Sequence, residues 1–161
     1  MKRQIGFFLS IIIIILFVIG CANNSDDVSQ ENVSITAVQV ANFAQSGEWQ
    51  VAYFYDTDQD ETGNFSGYSF SFNENGTLVA VNGNTTVAGT WSITDNSGSS
   101  SDDDGSSSDN DNDFNIFFAS PDEFEDLSDD WDIISISAVK IELIDVSGGN
   151  GGTDYLTLEK L

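Results

Sequence analysis

The sequence predicts an all-β fold: an eight-stranded antiparallel up-and-down barrel preceded by one short N-terminal helix. Three observations predict it. From Glu48 onward apolar residues recur at every second position, as in Tyr68, Phe70 and Phe72 or Phe114, Ile116 and Phe118, which is the period of a half-buried strand. Gly, Asn and Asp punctuate these runs at short intervals, so sequence neighbours pair antiparallel. About eight such runs are enough to close a sheet on itself and remove its exposed edges.

The helix is expected at Ser34 to Ala44. Ser34 can cap it, Ile35, Val38, Val40, Ala41 and Ala44 give it an apolar face, and Gly47 ends it. The first strand is Trp49 to Tyr55 and the second Tyr68 to Phe72, followed by the tight turn Glu74-Asn75-Gly76. The third is Thr77 to Val81, with Asn82-Gly83-Asn84 leading to the fourth, Thr86 to Thr94. Phe114 to Phe118 is the fifth, and Pro121 to Asp130 reads as a loop or a short helical turn. Trp131 to Ser137 and Lys140 to Val146 are the sixth and seventh. The run Gly148-Gly149-Asn150-Gly151-Gly152 then turns the chain into the eighth, Tyr155 to Lys160.

Upstream of the barrel the pattern is that of a secreted chain. Lys2 and Arg3 precede an almost wholly apolar stretch, Ile5 to Ile19, too short for a comfortable membrane span but suited to a signal peptide. Val18-Ile19-Gly20-Cys21 resembles the lipobox of bacterial lipoproteins. The resemblance implies cleavage before Cys21, diacylglycerol on its sulfur and an acyl chain such as palmitate on its freed amine. Two or more chains give stable anchoring. Residues 1–20 are therefore expected to be a lipoprotein signal peptide, residues 21–32 an acidic flexible tether and residues 33–161 the barrel domain. Apart from Ala22 and Val28 the tether has nothing apolar to bury. Its acidic residues, Asp26 and Asp27 among them, resemble the surface-export signals of Bacteroidota lipoproteins. The expected location is the outer membrane, lipid-anchored and facing the periplasm or the cell surface.

The segment Asn96 to Asp113 is Ser, Asp, Gly and Asn throughout and is expected to be a disordered acidic loop joining two strands.

The barrel segment also resembles a known family. Gly47-Glu48-Trp49, after a short helix and at the start of the first strand, is similar to the Gly-x-Trp signature of lipocalins, in which the tryptophan closes one end of the barrel. Gly89-Thr90-Trp91 repeats the motif. Together with Tyr68-Ser69-Phe70-Ser71-Phe72, Asn75-Gly76-Thr77, Leu127-Ser128-Asp129-Asp130-Trp131 and Ile141-Glu142-Leu143, it resembles the lipocalin-like domain of lipoproteins common in the Bacteroidota. The resemblance covers roughly residues 33–161 and implies a barrel with no common activity. The arginine that lipocalins carry near the last strand is absent, and Lys160 is the one nearby base.

Composition narrows the chemistry. The net charge is −23, with 27 acidic residues. Lys140 and Lys160 are the only basic side chains after the leader. Such a surface repels nucleic acid, whose phosphates need clustered Lys and Arg. Histidine is absent and Cys21 is the only cysteine. Ser-His-Asp and Cys-His catalysis, internal disulfides and His-rich zinc sites are thereby excluded. Paired carboxylates such as Glu123 and Glu125 remain for acid–base work, but they lie in polar segments where nothing raises a pKa.

Two stretches place carboxylates at the spacing of a calcium loop: Asp56-Thr57-Asp58-Gln59-Asp60-Glu61 and Asp109-Asn110-Asp111-Asn112-Asp113. Both lack the glycine that such a loop needs at its sixth position, where Glu61 and Phe114 stand. A hydrated, self-repelling loop tip is the favoured reading of each. The calcium ligands to examine are Asp56, Asp58 and Asp60. No other cofactor is expected.

Four large rings, Trp49, Phe70, Trp91 and Trp131, are expected inside the barrel. They either fill it or line a pocket for a small apolar ligand. The first reading of function is a non-catalytic, monomeric, lipid-anchored envelope protein that binds such a ligand. The alternative is a structural or interaction protein with a filled barrel, and a carboxylate-based hydrolase comes last.

Overall fold

The computed structural model describes residues 35–95, 112–146 and 152–161, all within the compact unit Asn32–Leu161. The expected leader, Cys21, the expected acidic tether, residues 33–34, residues 96–111 of the Ser/Asp-rich connection and residues 147–151 of the glycine-rich turn lie outside the described residues.

The fold is a closed antiparallel barrel with one short helix before it. Its elements are α1 (Ala37–Ala44), β1 (Glu48–Asp56), β2 (Gln59–Asp60), β3 (Ser69–Phe72), β4 (Thr77–Asn82), β5 (Thr85–Asp95), β6 (Asn112–Phe117), α2 (Asp122–Glu125), β7 (Asp129–Ile136), β8 (Lys140–Val146) and β9 (Thr153–Lys160). A 3-10 turn, Thr62–Phe65, follows β2. β2 is a two-residue flap on β1, and the other strands are the staves, in sequence order. β9 closes the barrel on β1, with Trp49 opposite Lys160 and Tyr55 opposite Tyr155.

α1 starts later than its apolar pattern suggests, because Thr36 is its cap. The Thr36 hydroxyl accepts from the Gln39 N–H at 3.3 Å. Gln39 Oε1 accepts from the Thr36 N–H at 3.0 Å, so the two residues form a reciprocal capping box. The helix ends at Ala44, before Gly47 is reached. Its inner face, Val40 and Ala44, is fully buried.

Alternation places Phe70, Phe72, Leu78, Ala80, Phe114, Ile116, Leu156 and Leu158 inside. The outward positions between them are mostly Ser, Thr, Asn, Asp and Glu, the inverse of a lipid-facing barrel. Among the described residues no helix is long and apolar enough to cross a membrane.

Strict alternation breaks in β1. Continued from Trp49 and Val51, it would send Tyr53 and Tyr55 inward. A register shift between Val51 and Tyr53 re-phases the strand as a bulge does. Phe54 is therefore buried, while Tyr53 is 40% exposed. A second shift between Ile133 and Ser135 in β7 leaves Ser135 outside beside Ile134 and turns Ile136 toward the core.

Two glycines are set by close approach or turn geometry. A Cβ on Gly89 would lie 2.4 Å from the Phe117 carbonyl oxygen and 2.6 Å from the Phe118 ring. Gly76 adopts φ +78° in the β3–β4 turn, a region that glycine enters without steric cost.

The registers give the barrel two distinct poles. At one pole α1 packs and β1, β6 and β8 begin. At the other β1 and β8 end and β7 and β9 begin. Both described lysines stand at the helix pole. Lys160 Nζ donates to the Ser46 carbonyl at 2.9 Å and lies 6.0 Å from the centre of the Trp49 ring. Lys140 pairs with Glu142.

Candidate functional site

The interior is the first candidate. Trp49, Phe70, Trp91 and Trp131 are all buried. Each indole N–H is satisfied by a backbone carbonyl next to its own strand: Trp49 by Ala44 at 2.7 Å, Trp91 by Asn73 at 3.0 Å and Trp131 by Leu127 at 3.1 Å. A buried indole donor needs such a partner, and here each bond also staples a connection to the wall.

Trp49 stands opposite Phe70 across β1 and β3, and Phe114, beside Trp91, stands opposite Trp131 across β6 and β7. Trp91 stands edge-on to Phe72 at 5.3 Å and beside Phe114 at 5.9 Å. Trp131 meets Phe54 at 6.4 Å, and Phe54 meets Phe65 at 5.6 Å. Phe70 sits among Phe65, Tyr68 and Phe124. Trp49 is at the helix pole, beneath Lys160.

The far pole is closed by a residue outside the set of rings expected inside the barrel. Phe124, on α2, is fully buried and contacts Phe65, Tyr68 and Phe118 at 5.1 to 5.3 Å. The short turn between Pro121 and Asp130 is thus a plug. Ser128 holds it in place, since its hydroxyl accepts from the Phe118 N–H at 2.8 Å. The only available signal was an apolar ring alone among acidic residues, in Asp122-Glu123-Phe124-Glu125.

The second candidate is the carboxylate rim around that plug. The calcium candidates Asp56, Asp58 and Asp60 are not brought together. Asp56 instead joins Glu61 and Asp126, their nearest oxygens within 4.8 Å of one another. Asp58 and Asp60 are exposed on the flap, and hydrogen bonds from Thr62 hold the Asp60 carboxyl below its usual pKa. Thr57, between Asp56 and Asp58, adopts φ +50°, unusual for a β-branched residue. Its N–H donates to Asp154 Oδ1 at 2.6 Å. Glu123 and Glu125 lie exposed on α2.

In the second calcium stretch, 109–111 lie outside the described residues and Asn112 and Asp113 belong to β6. Asn112 is buried, and its amide donates to the Ile35 carbonyl at 2.8 Å. It ties the helix to the barrel and is not a loop ligand.

A second rim cluster was not anticipated. Asp129, Asp145 and Asp154, all partly buried, also bring their oxygens within 4.8 Å of one another. Asp145 and Asp154 are cross-strand partners in β8 and β9, and Asp129 starts β7. Loss of solvent, then the contact with Asp130 and the charge of Asp145, push the Asp129 pKa up to about 6. Burial and the neighbouring carboxylates raise Glu61 and Asp126 as well. At the helix pole Lys140 and Ser135 lower Glu142. Like charges gathered this closely disfavour full ionisation and are the kind of oxygen donor set that suits hard cations.

No family profile matches the chain, and no curated protein matches it. Among solved structures it is similar to a DUF4847 family protein from Bacteroides vulgatus, at 16% identity and a TM-score of 0.47, over 76% of this chain and 97% of that one.

Proposed function

We propose that this protein is a non-catalytic lipoprotein of the bacterial envelope, anchored through Cys21 as a monomer, whose filled barrel works through its outer surface. One observation carries the reading. The interior is occupied by mutually contacting rings, with α1 and Trp49 at one pole and Phe124 at the other. A site for a drug-sized molecule is a concavity of roughly 300 Å³ or more, and packed rings work against one. Histidine is absent and Cys21 is the one cysteine, which excludes Ser-His-Asp and Cys-His catalysis. The anchor rests on the lipobox at Val18 to Cys21, and the outer-membrane location on the resemblance to lipocalin-like lipoproteins.

Two measurements test this. Mass spectrometry of the membrane fraction should find acylated Cys21, and Cys21→Ala should release the protein from membranes. Native mass spectrometry of protein purified from its own host should give the polypeptide plus its acyl chains only. An additional apolar molecule held at one equivalent would overturn the filled barrel in favour of a ligand carrier.

A further inference from the structure

The bulge in β1 creates a surface that the rest of the barrel lacks. It turns Tyr53 and Tyr55 outward on consecutive outer positions, with ring centres 6.3 Å apart and planes within 17° of each other. Tyr155 of β9 lies directly opposite Tyr55, and Ile144 of β8 directly opposite Tyr155, so all four share the outer face. Tyr53 and Tyr155 are 40% and 38% exposed, and Val146 at the end of β8 is 51% exposed. Three of the four tyrosines in the chain are therefore on one patch.

Charge decides what this patch fits. Next to it on the outer face stand Asp132, opposite Ile144, and Glu142, opposite Thr157. Glu159 lies further along β9, and the Asp145 and Asp154 rim borders it. The nearest base, Lys140, is held by Glu142, and Lys160 turns to Ser46 at the helix pole. Phosphate-bearing polymers and anionic lipid headgroups are repelled from such a field, whereas cations are drawn to it. Arginine suits both parts of the surface. Its planar guanidinium stacks on tyrosine faces and pairs with carboxylates at their edges.

We propose that the face formed by Tyr53, Tyr55, Tyr155 and Ile144 is a docking surface for an arginine-rich segment of a partner protein. This rests on the reading of a barrel that acts through its outside. The host-purified mass spectrum tests the filled interior and the experiment below tests the face, so the two fail separately.

The full chain, purified in neutral detergent, is titrated with a fluorescent arginine–glycine peptide and with its lysine counterpart. The arginine peptide should bind more tightly than the lysine one. The double variant Tyr53→Ser, Tyr155→Ser, with unchanged circular dichroism, should bind it about tenfold more weakly. Phe117→Ser, an exposed ring on the outer face of β6, should bind as the parent does. Equal binding by parent and double variant would reduce the effect to bulk charge and overturn the proposal. No binding by the parent would also overturn it. So would tyrosine-dependent self-association in sedimentation, or tyrosine-dependent binding of a neutral oligosaccharide in place of the peptide.

Discussion

Replacing Asp129 with Asn should stabilise the protein at neutral pH and have little effect in acid. Asp129 shares its corner of the rim with Asp145 and Asp154, and its carboxyl titrates at about 6 in the folded chain. In the unfolded chain an aspartate titrates near 3.9. Between these values the native state binds more protons than the unfolded state, so stability falls as pH rises through that window. The penalty is absent below it and complete above it. A shift of about two units corresponds to roughly 3 kcal/mol. The carboxyl is substantially solvated, and screening reduces the expected penalty to about 1 kcal/mol. Asparagine has the same shape, carries no charge and keeps an oxygen to accept the Asp130 N–H, which Asp129 Oδ1 now accepts at 2.8 Å. Urea unfolding in EDTA at pH 7.5 should show Asp129→Asn more stable by about 1 kcal/mol, or about 3 °C in Tm, with the difference gone by pH 4. Adding calcium to the pH 7.5 sample should favour the parent if the cluster takes the ion, since only the parent offers all three carboxylates. A variant that is less stable in EDTA at pH 7.5, or a difference that ignores pH, would refute the reasoning.

Other perturbations test the packing. Phe124→Ala removes the plug and should cost about 3 kcal/mol in urea unfolding, with new binding of an apolar dye at the opened pole. Gly89→Ala should cost about 2 kcal/mol or more, because its methyl must displace the Phe117 carbonyl as well as the Phe118 ring. Asn112→Ala leaves the Ile35 carbonyl without its side-chain donor and should cost about 1 to 2 kcal/mol. Hydrogen exchange should locate that loss in α1.

Much of the fold was legible because its signals are local. Phe70 and Phe72, or Phe114 and Ile116, alternate with small polar residues, and Asn75-Gly76 can only be a turn. The eight staves were each placed to within a few residues of where they lie, β8 without change, whereas the two-residue flap β2 was not expected. The helix start was misjudged since Ser34 and Thr36 are both good caps, and only the reciprocal bond to Gln39 separates them. The bulges were not legible, because a one-residue re-phasing of β1 depends on its register with β9. The rim was illegible for a similar reason. Asp56 of β1 meets Asp126 at the end of α2, and Asp129 meets the cross-strand pair Asp145 and Asp154, through tertiary placements that no sequence spacing encodes. The rings Trp49, Phe70, Trp91 and Trp131 were placed inside by their period. How they divide among separate contacts follows from the side chains of neighbouring staves.

The seam between β1 and β9 has a kinetic consequence. It joins the first and last strands, so the cylinder cannot shut until the whole domain is available, and each earlier stave waits with an unsealed edge. Contacts so distant along the chain form slowly, because a long loop must close before they contribute. A chain that becomes available from its N-terminal side would thus stay a loose ribbon. It would acquire its native shape only when β9 arrives.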